Sequence, residues 1–160
     1  MNKNRRRLIS ACLAGALVML GMSLPTTTRA AVVLNTSAPF TGFIGIPCAA
    51  EIAFITGDLH VIIAEEMDSN GGVHLKSHFQ PQGISGVGLL TGVKYQATGV
   101  TQEHTNIHSS LAFEETFVNN FRIIGQGPDN NLLVHITIHV TVDANGVVTA
   151  DVLNSSVDCN

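Results

Sequence analysis

Seven histidines are the most conspicuous reactive groups of this chain, and six form three His-x3-His pairs: His74/His78, His104/His108 and His135/His139. On a helix that spacing stacks two rings one turn apart on one face, ready to share a metal ion. On a strand, four rises place the same rings about 13 Å apart, too far for one ion. The residues around 74 and 135 alternate as strands do, so a metal site would have to be assembled across strands. Glu66 with His74, or His139 with Asp151, would be such pairs. His74 and His139 are therefore weak metal candidates, and no metal or other cofactor is expected.

Glu65 is the sharper candidate. The strand alternation places it on an inner face among Val, Ile and Met side chains. An unpaired carboxylate there has a raised pKa, and such groups concentrate at functional sites. Beside an inward-facing His it would be the acid–base pair of an enzyme. A one-residue bulge would instead turn it back to solvent next to Glu66. Other catalytic signatures are weak: 83–87 falls short of a Gly-x-Ser-x-Gly elbow, and the glycine-rich stretch lacks the Gly-Lys-Ser/Thr that cradles phosphates. The chain has no Trp and one Tyr, which argues against the aromatic platforms of sugar-binding modules. The question of an enzyme stays open, leaning towards a non-catalytic protein.

Residues 1–30 have the order of an export signal: Lys3, Arg5, Arg6 and Arg7, then an apolar run over 8–24, then small residues ending at Ala30. Cleavage after Ala30 is expected, by the general or the twin-arginine route. The glycine and serine interruptions and Pro25 argue against a retained transmembrane helix, and Cys12 sits too near the arginines for a lipoprotein box. The protein is thus expected outside the cytoplasm, periplasmic or extracellular.

Removing the signal takes five of the eight Lys and Arg residues. Lys76, Lys94 and Arg122 remain against twelve Asp and Glu, a net charge of −9 in place of −4 for the whole chain. So acidic a protein repels phosphate backbones, which excludes nucleic acid as a partner, and stable membrane insertion after cleavage is not expected. Two cysteines remain, Cys48 and Cys159, in an oxidising compartment where a disulfide between them is the default reading.

Residues 31–47 show no clear period and read as a flexible lead-in. Residues 48–160 read as a single β domain rich in Val, Ile, Thr and Gly. The clearest local signal is a repeated hairpin, with Asp68-Ser69-Asn70-Gly71 and Asp143-Ala144-Asn145-Gly146 at its turns. A three-residue loop ending in a left-handed Gly146 pairs Val142 with Val148, Val140 with Ala150 and Ile138 with Val152. His139 then faces Asp151. The same register in the first copy pairs Glu66 with His74 and gives an inner face that includes Val61, Ile63, Leu75 and Phe79. Residues 81–92, with four glycines, read as a loop of the Ω type, and Asn119-Asn120 reads as a two-residue turn.

Seven or eight strands result, in an antiparallel meander. With an even count the first strand begins beside the end of the last, which places Cys48 by Cys159 and favours a closed barrel. A β-sandwich is the alternative. The barrel reading makes Glu65, Ile63, Phe79, Tyr95 and Phe113 the ligand-binding candidates, with 81–92 covering one end. The expected role is non-catalytic binding of a small apolar ligand or of a partner. A barrel-type enzyme using Glu65 and a packed structural or surface protein are the alternatives.

The runs Gly72-Val73-His74-Leu75-Lys76-Ser77-His78-Phe79-Gln80-Pro81-Gln82-Gly83 and Val118-Asn119-Asn120-Phe121-Arg122-Ile123-Ile124-Gly125 resemble a group of small exported bacterial proteins with no assigned activity. That resemblance implies export and an all-β domain, and it carries no catalytic residues.

Overall fold

A computed structural model describes residues 30–128 and 130–160, so the expected export signal lies outside the described residues except for Ala30. Seven strands follow one another: β1 (Ala31–Ile46), β2 (Glu51–Met67), β3 (Val73–Gly88), β4 (Lys94–Ile107), β5 (Phe113–Gly125), β6 (Leu132–Val142) and β7 (Val148–Cys159). They form one antiparallel sheet in which strand order equals chain order. The described residues contain no α-helix, only a short 3-10 turn at Pro47–Ala49. The sheet is not closed: β1 and β7 are its two edges, and with seven strands they run in the same direction.

The disulfide between Cys48 and Cys159 is present, with Cα atoms 5.4 Å apart. It ties the β1–β2 turn to the end of β7 and draws the two edges together at one end. The parity argument applies to the six strands β2–β7, and β1 is one more. Residues 31–46, expected as a lead-in, are that strand. β1 is an edge, exposed along most of its length, so neither face has to be apolar and no period marks it.

Two further expectations are corrected. Residues 81–88 belong to β3, and only 89–93 turn. The glycines there make room: a Cβ on Gly86 would lie 1.8 Å from the Phe54 carbonyl oxygen on β2, so the close approach of two strands excludes a side chain. Asn119 and Asn120 do not turn either but lie within β5. Their side chains serve opposite faces of the sheet, Asn119 accepting from Thr101 Oγ1 and Asn120 from His135 Nδ1. The β4–β5 turn lies instead at 108–112.

Three turns at the end away from the disulfide share one geometry. In each, the first residue's carbonyl accepts from the N–H three residues on: Gly71 to Asp68, Leu111 to His108 and Gly146 to Asp143. The donor has positive φ in all three, 80°, 67° and 79°. Asp68 and Asp143 also bind their turns' backbone, Oδ1 accepting from Asn70 and Gly72, and from Asn145 and Val147. These bonds hold both carboxyls below the usual carboxylate range, the Gly72 and Val147 N–H groups contributing most.

The first hairpin has the expected register, with Met67 opposite Val73 and Glu66 opposite His74. The last departs from it after Val142/Val148: a bulge at Thr149 moves the pairing by one, so Ile138 faces Leu153, Val140 faces Asp151 and His139 faces Val152. β7 is exposed on both faces, so the alternation used to choose the register does not constrain it.

The core sits at the disulfide end, where Ile46, Ala53, Ile55, Ile84, Tyr95, Ala97, Ile123 and Leu132 are buried together. These residues mark one face of the sheet as the core face.

Candidate functional site

A cavity of about 290 Å³ opens on the core face, lined by Phe40, Phe43, Ile44, Ile55, Leu59, Phe79, Pro81, Ile84, Val100, Thr101 and Phe121. Strand register assembles this wall. Phe79 on β3 lies between Val61 on β2 and Thr101 on β4, and cross-strand neighbours project to the same side. Phe121 stands two residues further along β5 than Asn119, the partner of Thr101. Thr101 is the only residue of the wall with a polar side chain, and its hydroxyl donates sideways to Asn119 Oδ1 at 2.8 Å. The wall carries no titratable group, so it offers shape and dispersion contact rather than acid–base chemistry.

Of the five expected ligand contacts, only Phe79 lines this cavity. Glu65 is exposed, opposite Ala31 and Leu75. Ile63 lies between Leu34 and Ser77, and Phe113 between Ile107 and Val142, both towards the far turns. Tyr95 is in the core beneath. The histidines do not complete an acid–base pair with Glu65. His60, His74, His78, His104, His135 and His139 alternate with the core-face residues of their strands and so project to the other face, and His108 lies in a turn.

On that outer face the rings find mostly neutral partners. His60 Nε2 donates to Asn35 Oδ1 at 2.8 Å, and His139 Nδ1 lies 2.9 Å from Thr116 Oγ1. His74 has an acceptor at each nitrogen, Asn106 Oδ1 at 2.8 Å and Asp68 Oδ2 at 3.3 Å. The Asn106 bond first, then Asp68, raises its pKa, because both favour the doubly protonated ring. Glu66 lies opposite His74 across the strands as expected, although His74's hydrogen bonds go to Asn106 and Asp68, whereas His139 faces Val152 and not Asp151. His139 Nε2 instead lies 3.6 Å from Glu114 Oε1. Among the described residues no group of three or more His, Cys, Asp or Glu side chains is arranged to hold a metal.

Among the described residues the buried carboxylate is Glu51, 5% exposed. Its Oε1 accepts from Tyr95 Oη at 2.6 Å and Thr91 Oγ1 at 2.8 Å. Its Oε2 accepts from the backbone N–H groups of Leu90 and Thr91, both at 3.3 Å. The Tyr95 bond leads in holding Glu51 below the usual carboxylate range, against burial, which acts the other way. Tyr95 is in turn pushed up to about 12, first by burial and then by the carboxylate. Glu51 was legible in principle, since Glu51, Ala53 and Ile55 alternate in phase, the same signal that singled out Glu65.

No protein-family model, curated protein or solved structure matches the chain.

Proposed function

We propose that this is an exported, non-catalytic binding protein that holds a small apolar molecule against the core face of its curled sheet. One observation carries the reading: a concave space of about 290 Å³ whose wall has a single polar side chain, already hydrogen-bonded to its neighbour. Such a space favours a compact apolar ligand over a polar substrate, because a buried polar group without a partner is costly. In this reading the sheet acts as a barrel left open along one seam, and Phe40 of β1 stands at the way in. The Cys48–Cys159 disulfide suits a protein working in an oxidising compartment. Export and kinship with the small exported β proteins that the sequence resembles are parts of the same proposal.

Native mass spectrometry of the protein purified from its producing cells, with solvent extraction of what it carries, tests this directly. The expected result is a bound apolar molecule, and uptake of Nile red by the stripped protein. Leu59→Trp, at a core-face position of the wall opposite Ala38 and Pro81, puts a larger ring into the space and is expected to abolish both. Dye binding unchanged by Leu59→Trp would remove the cavity from the account.

A further inference from the structure

The two faces of the sheet differ in the sign of the charge they carry. On the core face Glu65 stands opposite Leu75, Glu103 between Ser77 and Phe117, Glu115 between Thr105 and Val140, and Asp151 opposite Val140. Cross-strand partners project to the same side, so these carboxylates share the face on which the cavity opens. The cations are elsewhere. Lys76 is opposite His104, Lys94 precedes the buried Tyr95, and Arg122 precedes the buried Ile123. All three therefore project to the outer face, beside six of the seven histidines. Among the described residues, the core face of the strands carries carboxylates and no Lys, Arg or His side chain. Cleavage after Ala30 would put a new α-amino group opposite Glu65, which offsets that residue but neither Glu103 nor Glu115.

Glu103 and Glu115 lie next to the cavity. Glu103 follows Thr101 of the cavity wall by one two-residue step, about 7 Å along β4. Glu115 is one step further, opposite Thr105. Both are half-buried, and among the described residues neither side chain has a hydrogen-bond or ion-pair partner. Phe117 is directly opposite Glu103 and two residues from Glu115, so a cation held by the carboxylates would also meet its ring. Beside such apolar surface a carboxylate attracts a cation more strongly than it does in open water. By themselves the carboxylates would be an acidic patch; the cavity one step away makes them a selector of what fills it.

We propose that the ligand of the cavity is a cationic amphiphile. Its apolar body lies against Phe79 and Phe121, and its ammonium group lies between Glu103 and Glu115. This rests on the cavity being the binding site and adds the charge of its occupant. The same carboxylates repel an anionic amphiphile such as a fatty acid, so the face discriminates by sign as well as by apolarity.

Decyltrimethylammonium, 1-decanol and decanoate share a ten-carbon tail and differ in charge. Isothermal titration calorimetry at pH 7.5, below micelle-forming concentrations, is expected to give affinities that fall in that order. The cation should bind about tenfold more tightly than the alcohol, with the preference shrinking as salt is added. Glu103→Gln/Glu115→Gln is expected to bring the cation to the alcohol's affinity while leaving the alcohol's own unchanged. Asp58→Asn/Asp158→Asn removes as much charge from the outer face and is expected to keep the preference. Equal binding of cation and alcohol overturns the proposal and leaves the apolar cavity standing as a site. No binding of any of the three overturns both. A preference that survives Glu103→Gln/Glu115→Gln, or that Asp58→Asn/Asp158→Asn also abolishes, overturns the proposal by tracing it to net charge.

Discussion

Tyr95 donates from its hydroxyl to Glu51 Oε1 at 2.6 Å, joining the start of β4 to the start of β2 within the core. A buried tyrosine thus secures a carboxylate whose other oxygen holds the β3–β4 turn. Removing the hydroxyl would leave that carboxylate less well satisfied.

Tyr95→Phe is expected to lower the urea midpoint at neutral pH. The folded-state pKa of Glu51 lies below its ordinary value. Its contribution is therefore fully present above the ordinary carboxylate range and is lost as the pH falls through the folded pKa. The gap between the wild type and Tyr95→Phe should narrow over that acid window. Urea titrations at a series of pH values measure it, and a gap independent of pH would contradict the role given to Glu51.

Cys48→Ser/Cys159→Ser opens a loop spanning 111 residues in sequence. The chain-entropy account sets the loss near about 4–5 kcal/mol. The sheet is expected to form still, since every strand pairs only with its sequence neighbours. Calorimetry with and without reductant checks the size, and wild-type stability unchanged by reductant would show that the link adds little.

Leu111 occupies the left-handed position that Gly71 and Gly146 fill in the sister turns, and it is 78% exposed, so little packing offsets its strain. Leu111→Gly is expected to stabilise the protein by about 1 kcal/mol, and Gly146→Leu to destabilise it by a similar amount. Thermal unfolding of the two variants reads both signs.

What the sequence made legible follows the reach of local rules. The Asp-x-Asn-Gly turns, the Glu66/His74 register and the cysteine pair could be read because turn chemistry, alternation and strand parity act over short distances or on few possibilities. β1 and the bulge at Thr149 were hidden for a shared reason: edge strands exposed on both faces carry no periodic apolar face. The glycines of 83–88 looked like loop residues because composition does not reveal that Gly86 faces a carbonyl oxygen on a neighbouring strand.

The site was less legible than the fold. Phe79 was found because its strand was phased correctly. Phe40, Phe43 and Ile44 were missed with β1, and Phe121 with the turn expected at Asn119-Asn120. Glu65 and Glu51 both lie in phase with the core face, but only Glu51 sits where β3 and β4 cover it. Alternation tells which face a carboxylate points to and says nothing of how deep the sheet is at that row.

The strand order has a consequence for how the chain acquires its shape. Each strand, when it is made, finds its partner immediately before it, so no pairing waits for a distant segment. Assembly can run as a travelling edge that advances one hairpin at a time, the kind of local pairing that favours rapid folding. The last step carries β7 round until Cys159 reaches Cys48, and oxidation then records that the journey was completed in order.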